Sequence, residues 1–213
     1  VDCFVGNMVS ALILPILLFS VASVRSDCYD VNTIDRSARD DFCEQPVFVN
    51  FAPKTEEVKM LDNVCHTLFP LPDDPDTFHL YISRVFCDGS NDVISQIITQ
   101  MELGVTRKTT IYRTFTDYIF GYAGCDTYLV YRCPNFGGKP DDIIVDIYGV
   151  SPQCRPIGLS CLRKVEEIIK ENGLPEQEFY VLPMKLPHRC VTQQLCLQPP
   201  NPFYNKLPSH GLL

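Results

Sequence analysis

The chain of 213 residues carries 26 acidic and 18 basic side chains, a formal net charge of −8. An acidic surface repels phosphate backbones and anionic lipid headgroups, which argues against nucleic acid and anionic membranes as partners. The chain has one domain's length and is long enough to bury a core.

The first element in chain order is an uncharged apolar run at residues 9–24, which follows Met8 and ends in small side chains. The run is shorter than the roughly 20 residues that cross a bilayer, so it predicts a cleaved secretory signal peptide rather than a membrane anchor. We therefore expect upstream residues and a signal peptide over 1–26, a folded domain over 27–196 and a loose proline-rich tail over 197–213. The mature protein is then expected to be secreted and soluble, without membrane insertion.

Ten of the 11 cysteines remain once the leader and its Cys3 are removed. An even number in an oxidising compartment predicts up to five disulfides. No Cys-x-x-Cys pair is present, which removes the commonest zinc and redox signatures. The ten cysteines are at positions 28, 43, 65, 87, 125, 133, 154, 161, 190 and 196.

The N-terminal part of the expected domain has weak patterns. Residues 27–45 are polar and turn-rich and predict an irregular arm, while 46–51 predict a short strand. Over 55–69 the apolar side chains recur at helical spacing, which favours a helix over a poorly patterned strand.

Strand patterns become clearer further along the chain. Residues 71–76, with two prolines and three aspartates, predict a loop. Residues 77–87 alternate apolar and polar side chains and predict a strand. Residues 92–105 fit either a helix or a strand. The threonines and aromatic residues over 108–118 predict one further strand.

The C-terminal half predicts a hairpin, a helix and a last strand. Strands at 126–133 and 142–149 flank a glycine-containing turn. Residues 156–173 predict a helix, with a proline in the first turn and a glycine at the end. Its apolar stripe indicates that it lies on a sheet, and 177–183 predict the last strand. This order favours an antiparallel sheet with the helix packed outside it.

Two motifs in this region resemble those of the lipocalins. Thr116-Asp117-Tyr118 precede a Tyr-x-x-Tyr-x-Cys segment at 128–133, and the next strand ends in IYGVSP at 147–152. The helix and Cys190 follow in the family's order. The chain is similar to Cys-rich lipocalins of arthropod saliva, including those of ticks, and to the apolipoprotein-D-like branch. The resemblance implies a mainly β fold: an antiparallel eight-stranded barrel with a C-terminal α-helix packed outside, rich in disulfides.

The chain also departs from the family pattern. The N-terminal Gly-x-Trp motif is missing because the chain has no Trp, and Val150 occupies the place of the family's Arg. In the family these two side chains pack on each other across the closed end of the barrel, so both members of one cation–π pair are absent here.

The resemblance also implies two disulfides. The cysteine of the family's strand motif, Cys133 here, bonds to the N-terminal arm, where Cys28 is the natural partner. The family's C-terminal cysteine, Cys190 here, bonds to an early strand, which leaves Cys65 and Cys87 as candidates.

Strand alternation places polar side chains inside the expected barrel. The apolar face Ile143, Val145 and Ile147 should lie under the helix, so that Ile144, Asp146 and Tyr148 point inward. With a turn near residues 136–138, Tyr128 lies opposite Asp146 and Arg132 lies opposite Asp142. The family pattern adds inward positions on 108–118. The candidate ligand-binding residues are Asp146, Tyr148, Tyr128, Val130, Arg132, Ile144, Arg113 and Phe115.

This set predicts that the barrel binds a small cationic or hydrophobic ligand. A biogenic amine such as histamine or serotonin would pair with Asp146 and stack on Tyr128 or Tyr148. Alternatively, Asp146 pairs with Arg113 or Arg132 in a closed network or lies at the rim in water. In a further alternative, the two arginines hold the carboxylate of a fatty acid or eicosanoid.

A different class of function is also compatible with the sequence. A barrel filled by its own bulky side chains would bind a host protein through its surface loops. We expect no enzymatic activity, no cofactor and no metal site, because the chain has no nucleophile elbow, Walker loop or His-Glu-x-x-His motif.

Overall fold

A computed structural model describes residues 28–42, 46–110, 114–134 and 146–190. Their secondary structure is mainly antiparallel β, with one longer helix near the C-terminus. The strands are β1 (Val47–Pro53), β2 (Leu61–Leu71), β3 (Asp74–Phe86), β4 (Asn91–Glu102), β5 (Val105–Thr109), β6 (Thr114–Gly124), β7 (Thr127–Pro134), β8 (Asp146–Ser151) and β9 (Phe179–Val181). The helices are α1 (Ala38–Phe42), α2 (Glu56–Lys59), α3 (Leu159–Glu171) and a 3-10 turn at Pro187–Arg189.

Strands β1 to β8 form a closed eight-stranded barrel, as the motifs implied. Each strand pairs with its successor, and β1 pairs with both β2 and β8. Val49 lies opposite Val64 on one side and opposite Val150 on the other. The short β9 pairs with β1 alongside this closure.

Two buried clusters lie on opposite sides of the barrel wall. Tyr148 belongs to the cluster inside the barrel, and Ile147 belongs to the cluster under α3, which confirms the expected faces of these two residues. Helix α3 buries Val165, Ile168 and Ile169 against the sheet. Among the described residues, no helix is long and apolar enough to cross a membrane.

The predicted helix over 55–69 is wrong. Only Glu56–Lys59 is helical, and β2 begins at Leu61. Successive residues of β2 are buried on both faces because a C-terminal segment crosses its outer side. Asp62 accepts hydrogen bonds from the backbone N–H groups of Lys185 and Leu186. Burial on both faces removes the alternation by which a strand is recognised.

Three other segments differ from the expectation, and one that was left open is now assigned. Residues 108–118 belong to two strands, since β5 ends at Thr109 and β6 begins at Thr114. The ambiguous 92–105 is a strand as far as Glu102, where β4 ends, and then turns at residues 103–104 into β5. The predicted loop at 71–76 is reduced to a turn before Asp74, where β3 starts. The arm predicted to be irregular contains α1.

The predicted register of the β7–β8 hairpin is wrong by four residues. Arg132 lies opposite Asp146, and Tyr128 lies opposite Val150. The connection is therefore centred later in the chain than the expected turn. Residues 135–145, including Asp142, Ile143, Ile144 and Val145, lie outside the described residues.

Helix α1 lies across one end of the barrel, which we call the closed end. Ala38 and Phe42 of α1 face the interior. The Arg36 guanidinium lies 4.9 Å from the centroid of the Tyr128 ring, and its Nη2 donates to the Tyr128 hydroxyl at 2.8 Å. Because Tyr128 lies opposite Val150, this contact places a cation–π pair at the family's Arg position, with the cation supplied by the N-terminal arm.

Candidate functional site

The barrel interior contains a cavity of about 60 Å³. Its wall is mainly aliphatic and aromatic, and α1 covers it at the closed end. Polar side chains line one part of this wall. They are His66, Thr106, Lys108, Asp117 and Tyr148.

Asp117 is the centre of this polar group and is 2% exposed. Its carboxylate accepts from Arg132 Nε at 2.9 Å and from the Tyr148 hydroxyl at 2.7 Å. Lys108 Nζ lies 2.6 Å from Asp117 Oδ2. The three donors come from three strands, so β5, β7 and β8 are joined through one carboxylate on β6. Buried charges are tolerated when they are paired in this way.

The environment changes the pKa of each member of the cluster. Burial opposes ionisation of Asp117, but Arg132 and Lys108 outweigh it and hold the pKa of this carboxyl well below its usual range. Burial lowers the pKa of Lys108 although Asp117 acts in the opposite direction. Burial and the charge of Asp117 together raise the pKa of Tyr148, which keeps its hydroxyl protonated.

Asp146 and His66 lie at the edge of this cluster. Arg132 Nη1 is 3.6 Å from Asp146 Oδ2, and burial raises the pKa of Asp146. Burial, with Lys108 and Arg132, lowers the pKa of His66 to about 3. His66 is therefore neutral at physiological pH.

The predicted site residues are only partly brought together. Tyr148 and Val130 line the cavity. Arg132 binds the Asp117 network, and its guanidinium lies 5.5 Å from the ring of Phe115. Tyr128 is instead engaged by Arg36 at the closed end. Arg113 and Ile144 lie outside the described residues.

Asp117, Lys108 and His66 were missed by the sequence analysis. A signal was available for Asp117. It lies two residues after Phe115, which the family pattern placed inward, so period-two alternation puts Asp117 on the same face. Lys108 and His66 carry no comparable local signal, because they depend on strand boundaries that were predicted wrongly.

Three disulfides join parts of the described chain. Cys28 is bonded to Cys133, and Cys190 is bonded to Cys65 rather than to Cys87. The third joins Cys125 to Cys161. Cys87 and Cys154 have no disulfide partner within the described ranges, and Cys43 and Cys196 fall outside them.

The cluster contains two carboxylates and two fixed cations, so its charges nearly balance. One N–H group of Lys108 is left for a ligand. The Lys108 ammonium has three N–H groups, of which Asp117 and the Tyr148 hydroxyl at 3.2 Å take two. The cavity therefore offers a hydrogen-bond donor at the polar end of an apolar space. In the part of the chain that the structure describes, no group of three or more His, Cys, Asp or Glu could hold a metal ion.

Comparison with known proteins gives matches in structure alone. No protein-family model matches the chain, and no curated protein matches it. Lobster apocrustacyanin A1 is similar with a TM-score of 0.50 and 10% identity, over 72% of this chain and 89% of that one. Apocrustacyanin C2 gives a TM-score of 0.49 and 12% identity, over 71% of this chain and 88% of that one. The siderocalin Ex-FABP gives a TM-score of 0.48 and 10% identity, over 65% of this chain and 92% of that one.

The closed barrel with its outer helix is a lipocalin-type fold. The likeness to apocrustacyanin A1 agrees with this assignment. The protein is thus a divergent, disulfide-containing barrel of lipocalin type. At identities near 10%, the likeness shows the fold alone.

Proposed function

We propose that this protein is a secreted, non-enzymatic binding protein that holds one small, mainly apolar ligand in the barrel. The ligand places a hydrogen-bond acceptor or carboxylate at Lys108. The observation that carries the proposal is the N–H group of Lys108 left over at the polar end of the apolar cavity. Secretion is supported by the disulfides, which persist in oxidising compartments.

An amine is less well accommodated at the centre of the cluster. Asp117 already accepts from Lys108, Arg132 and Tyr148, so an ammonium would have to displace one of them. The remaining acid is Asp146, which faces Arg132 and whose pKa is raised by burial. An amine such as histamine would bind only by competing with Arg132 for this carboxylate.

The size of the cavity limits the ligand. A volume of about 60 Å³ is room for roughly two water molecules, whereas pockets for drug-sized ligands have about 300–1,000 Å³. The ligand is accordingly short, or its entry moves α1, whose Phe42 forms part of the wall. Hexanoate is larger than this volume, so its binding would test both the carboxylate at Lys108 and the movement of α1 on entry.

The first test is native mass spectrometry of the oxidised protein with hexanoate and histamine supplied together. We expect a one-to-one hexanoate adduct, and at least a tenfold weaker adduct in Lys108→Met. Arg107→Met is the matched control, because Arg107 is exposed on the same strand and carries the same charge. Equal hexanoate binding by wild type and Lys108→Met would remove Lys108 from the site.

The histamine arm of the same experiment tests the amine hypothesis. If an amine binds at Asp146, Asp146→Asn weakens the histamine adduct at least tenfold. Unchanged histamine affinity in this variant would remove Asp146 from the site.

A second candidate function follows from the small volume of the interior. A barrel filled by side chains would act through its surface by binding a host protein. The same spectra separate the two functions, because no adduct from a chain with its disulfides intact would place the function on the surface.

A further inference from the structure

One outer face of the barrel, formed by β3 and β4, carries exposed apolar side chains. Ile98 of β4 lines the interior cavity, so strand alternation turns the odd-numbered residues of this strand outward. Three of these are large and apolar and are between 36% and 49% exposed: Val93, Ile97 and Met101. A row of exposed apolar side chains, unlike a single one, marks a surface that packs against something else.

Aromatic rings lie beside this row on the neighbouring strands. Leu80 of β3 lines the cavity, so His79 and Tyr81 point outward. The register places His79 between Phe69 of β2 and Ile97 of β4. The Tyr81 ring centroid lies 5.7 Å from that of Phe69 and 6.0 Å from that of His79. We call the following side chains the outer aromatic face: Phe69, His79, Tyr81, Val93, Ile97 and Met101.

The rest of the described chain leaves this face open. Within the described residues, none of its side chains belongs to either buried cluster. Helix α3 packs on another part of the wall, where its cluster includes Phe120 of β6, Leu129 of β7 and Ile147 of β8. The outer aromatic face therefore lacks a packing partner in the part of the chain that the structure describes.

The disulfide of Cys190 brings the next part of the chain to this face. Cys190 is the last described residue and is bonded to Cys65 of β2, which points outward because His66 lines the cavity. By the β2–β3 register, Tyr81 is a diagonal neighbour of Cys65, about 7–8 Å away. The segment bonds to the start of β2 before it reaches Cys65, so it runs along β2 in the direction that leads on to Phe69.

The residues after Cys190 suit an aromatic surface. Residues 191–213 contain no Asp or Glu and include the proline-rich segment PPNPFY at 199–204. Such segments favour the extended polyproline II conformation, so they lose little entropy on docking, and aromatic-lined surfaces bind them. Their backbone carbonyls accept hydrogen bonds, which the Tyr81 hydroxyl can donate.

The lengths of the segment and of the face agree. Residues 199–204 begin nine residues after Cys190, and nine extended residues reach about 28 Å, well beyond the distance to Tyr81. As polyproline II, the segment spans about 19 Å. Along β4, the distance from Ser95, which lies opposite Tyr81, to Met101 is about 20 Å. One extended segment can therefore cover the face along its whole length.

We propose that residues 199–204 pack on the outer aromatic face of their own barrel. The prolines lie on the rings of β3, and Phe203 and Tyr204 extend over Met101. The tether at Cys190 keeps the segment near the face at an effective concentration on the order of millimolar, so a weak contact is sufficient. This packing covers an apolar row that favours association between molecules when it is exposed. The contact is separate from the barrel interior and does not depend on the ligand there.

Two methionines provide the test in the intact, oxidised protein. Met101 lies on the face, whereas Met60 lies just before β2, and the described chain leaves them 49% and 55% exposed. If residues 199–204 cover Met101, hydrogen peroxide should convert it to the sulfoxide at least threefold more slowly than Met60. Peptide mass spectrometry measures both rates in one sample. Equal rates for the two methionines would overturn the proposal.

A matched pair of variants identifies the segment that protects Met101. Replacing Phe203 and Tyr204 by alanine should raise the oxidation rate of Met101 at least threefold and leave that of Met60 unchanged. The control replaces both leucines at 212–213 by alanine, which removes apolar side chains outside the proposed contact and should leave both rates unchanged. An equal effect in the two variants, or no effect in either, would overturn the proposal.

Dilution distinguishes the tethered segment from a second copy of the chain. Protection by a segment of the same molecule does not depend on protein concentration, whereas protection by another molecule is lost on dilution. We expect the oxidation rate of Met101 to stay constant as the protein is diluted. A rate that rises on dilution would show that a second copy covers the face and would overturn the proposal.

Discussion

Asp117 shows how a single buried residue organises the interior. Its carboxylate is bonded by two cations and a phenol, and it is almost fully buried. Removing one partner of such a group is costly because the remaining charge is left uncompensated in a low-dielectric space. Burial, together with the charges of Lys108 and Arg132, also lowers the pKa of His66 on β2.

His66 makes stability depend on pH. Its pKa is about 3 in the folded protein against an ordinary value of 6.5. Between these values the unfolded chain binds a proton that the folded protein does not, so the free energy of unfolding rises with pH through this window. We expect stability to fall as the pH is lowered from about 6.5 towards 3, and His66→Gln to make this slope shallower.

Urea unfolding at pH 4.5 and pH 7.5 measures this difference in wild type and variant. His188→Gln is the control, because His188 is an exposed residue near the C-terminus. An identical pH slope in wild type and His66→Gln would contradict the assignment to His66. The Asp117 carboxyl adds a separate loss of stability at lower pH, since its pKa is depressed in the folded state.

At the scale of elements, close approach of strands and helix determines which side chains fit. Gly149 ends the Ile-Tyr-Gly part of the third motif. A Cβ at this position would lie 2.1 Å from the Phe51 ring and 2.6 Å from Asn50 Oδ1. The glycine therefore permits β1 and β8 to close the barrel while Phe51 packs under α3.

Gly149→Ala should destabilise the protein by about 1–3 kcal/mol, because overpacking forces Phe51 or the strand to move. Thermal or urea unfolding monitored by far-ultraviolet circular dichroism would measure the loss. Gly158→Ala is a suitable comparison, since a Cβ there meets no atom within 4 Å. A loss no larger at Gly149 than at Gly158 would show that the barrel closes without the close contact.

At the scale of the whole molecule, the three disulfides tie distant segments to the barrel. They close loops of 105, 125 and 36 residues. The first holds the arm that carries α1, the second holds the segment that covers β2, and the third holds α3. Each restricts the unfolded chain, and the effect grows slowly with loop length.

Replacing either Cys28 and Cys133, or Cys125 and Cys161, by serine should lower the free energy of unfolding by about 2–5 kcal/mol. The pair Cys125 and Cys161 should cost the less of the two, by about 1 kcal/mol, because its loop is shorter. Urea unfolding of the two double variants gives both values. A larger loss for the shorter loop would mean that packing at the α3 end outweighs loop entropy.

The local sequence pattern was sufficient to predict those elements in which one face is buried differently from the other. The strand around Tyr148 alternates between the interior and the helix, and α3 carries one apolar stripe, so both were predicted with the correct faces. The motif order indicated the barrel, and the resemblance indicated the Cys28–Cys133 bond. These features depend on neighbours in sequence or on a known family pattern.

Only the tertiary structure decided the remaining features, since they depend on strand register and on which segments pack against each other. Strand β2 is buried on its inner face by the barrel core and on its outer face by the C-terminal segment, which erased its alternation. The register of the β7–β8 hairpin placed Arg132 beside Asp146, and the pairing of β5 with β6 placed Lys108 beside Asp117. Packing of α3 on the barrel brought Asn50 to the start of this helix. A periodic pattern indicates the face of the strand on which a residue lies. The pairing and closure of the strands determine which residues of different strands meet on that face.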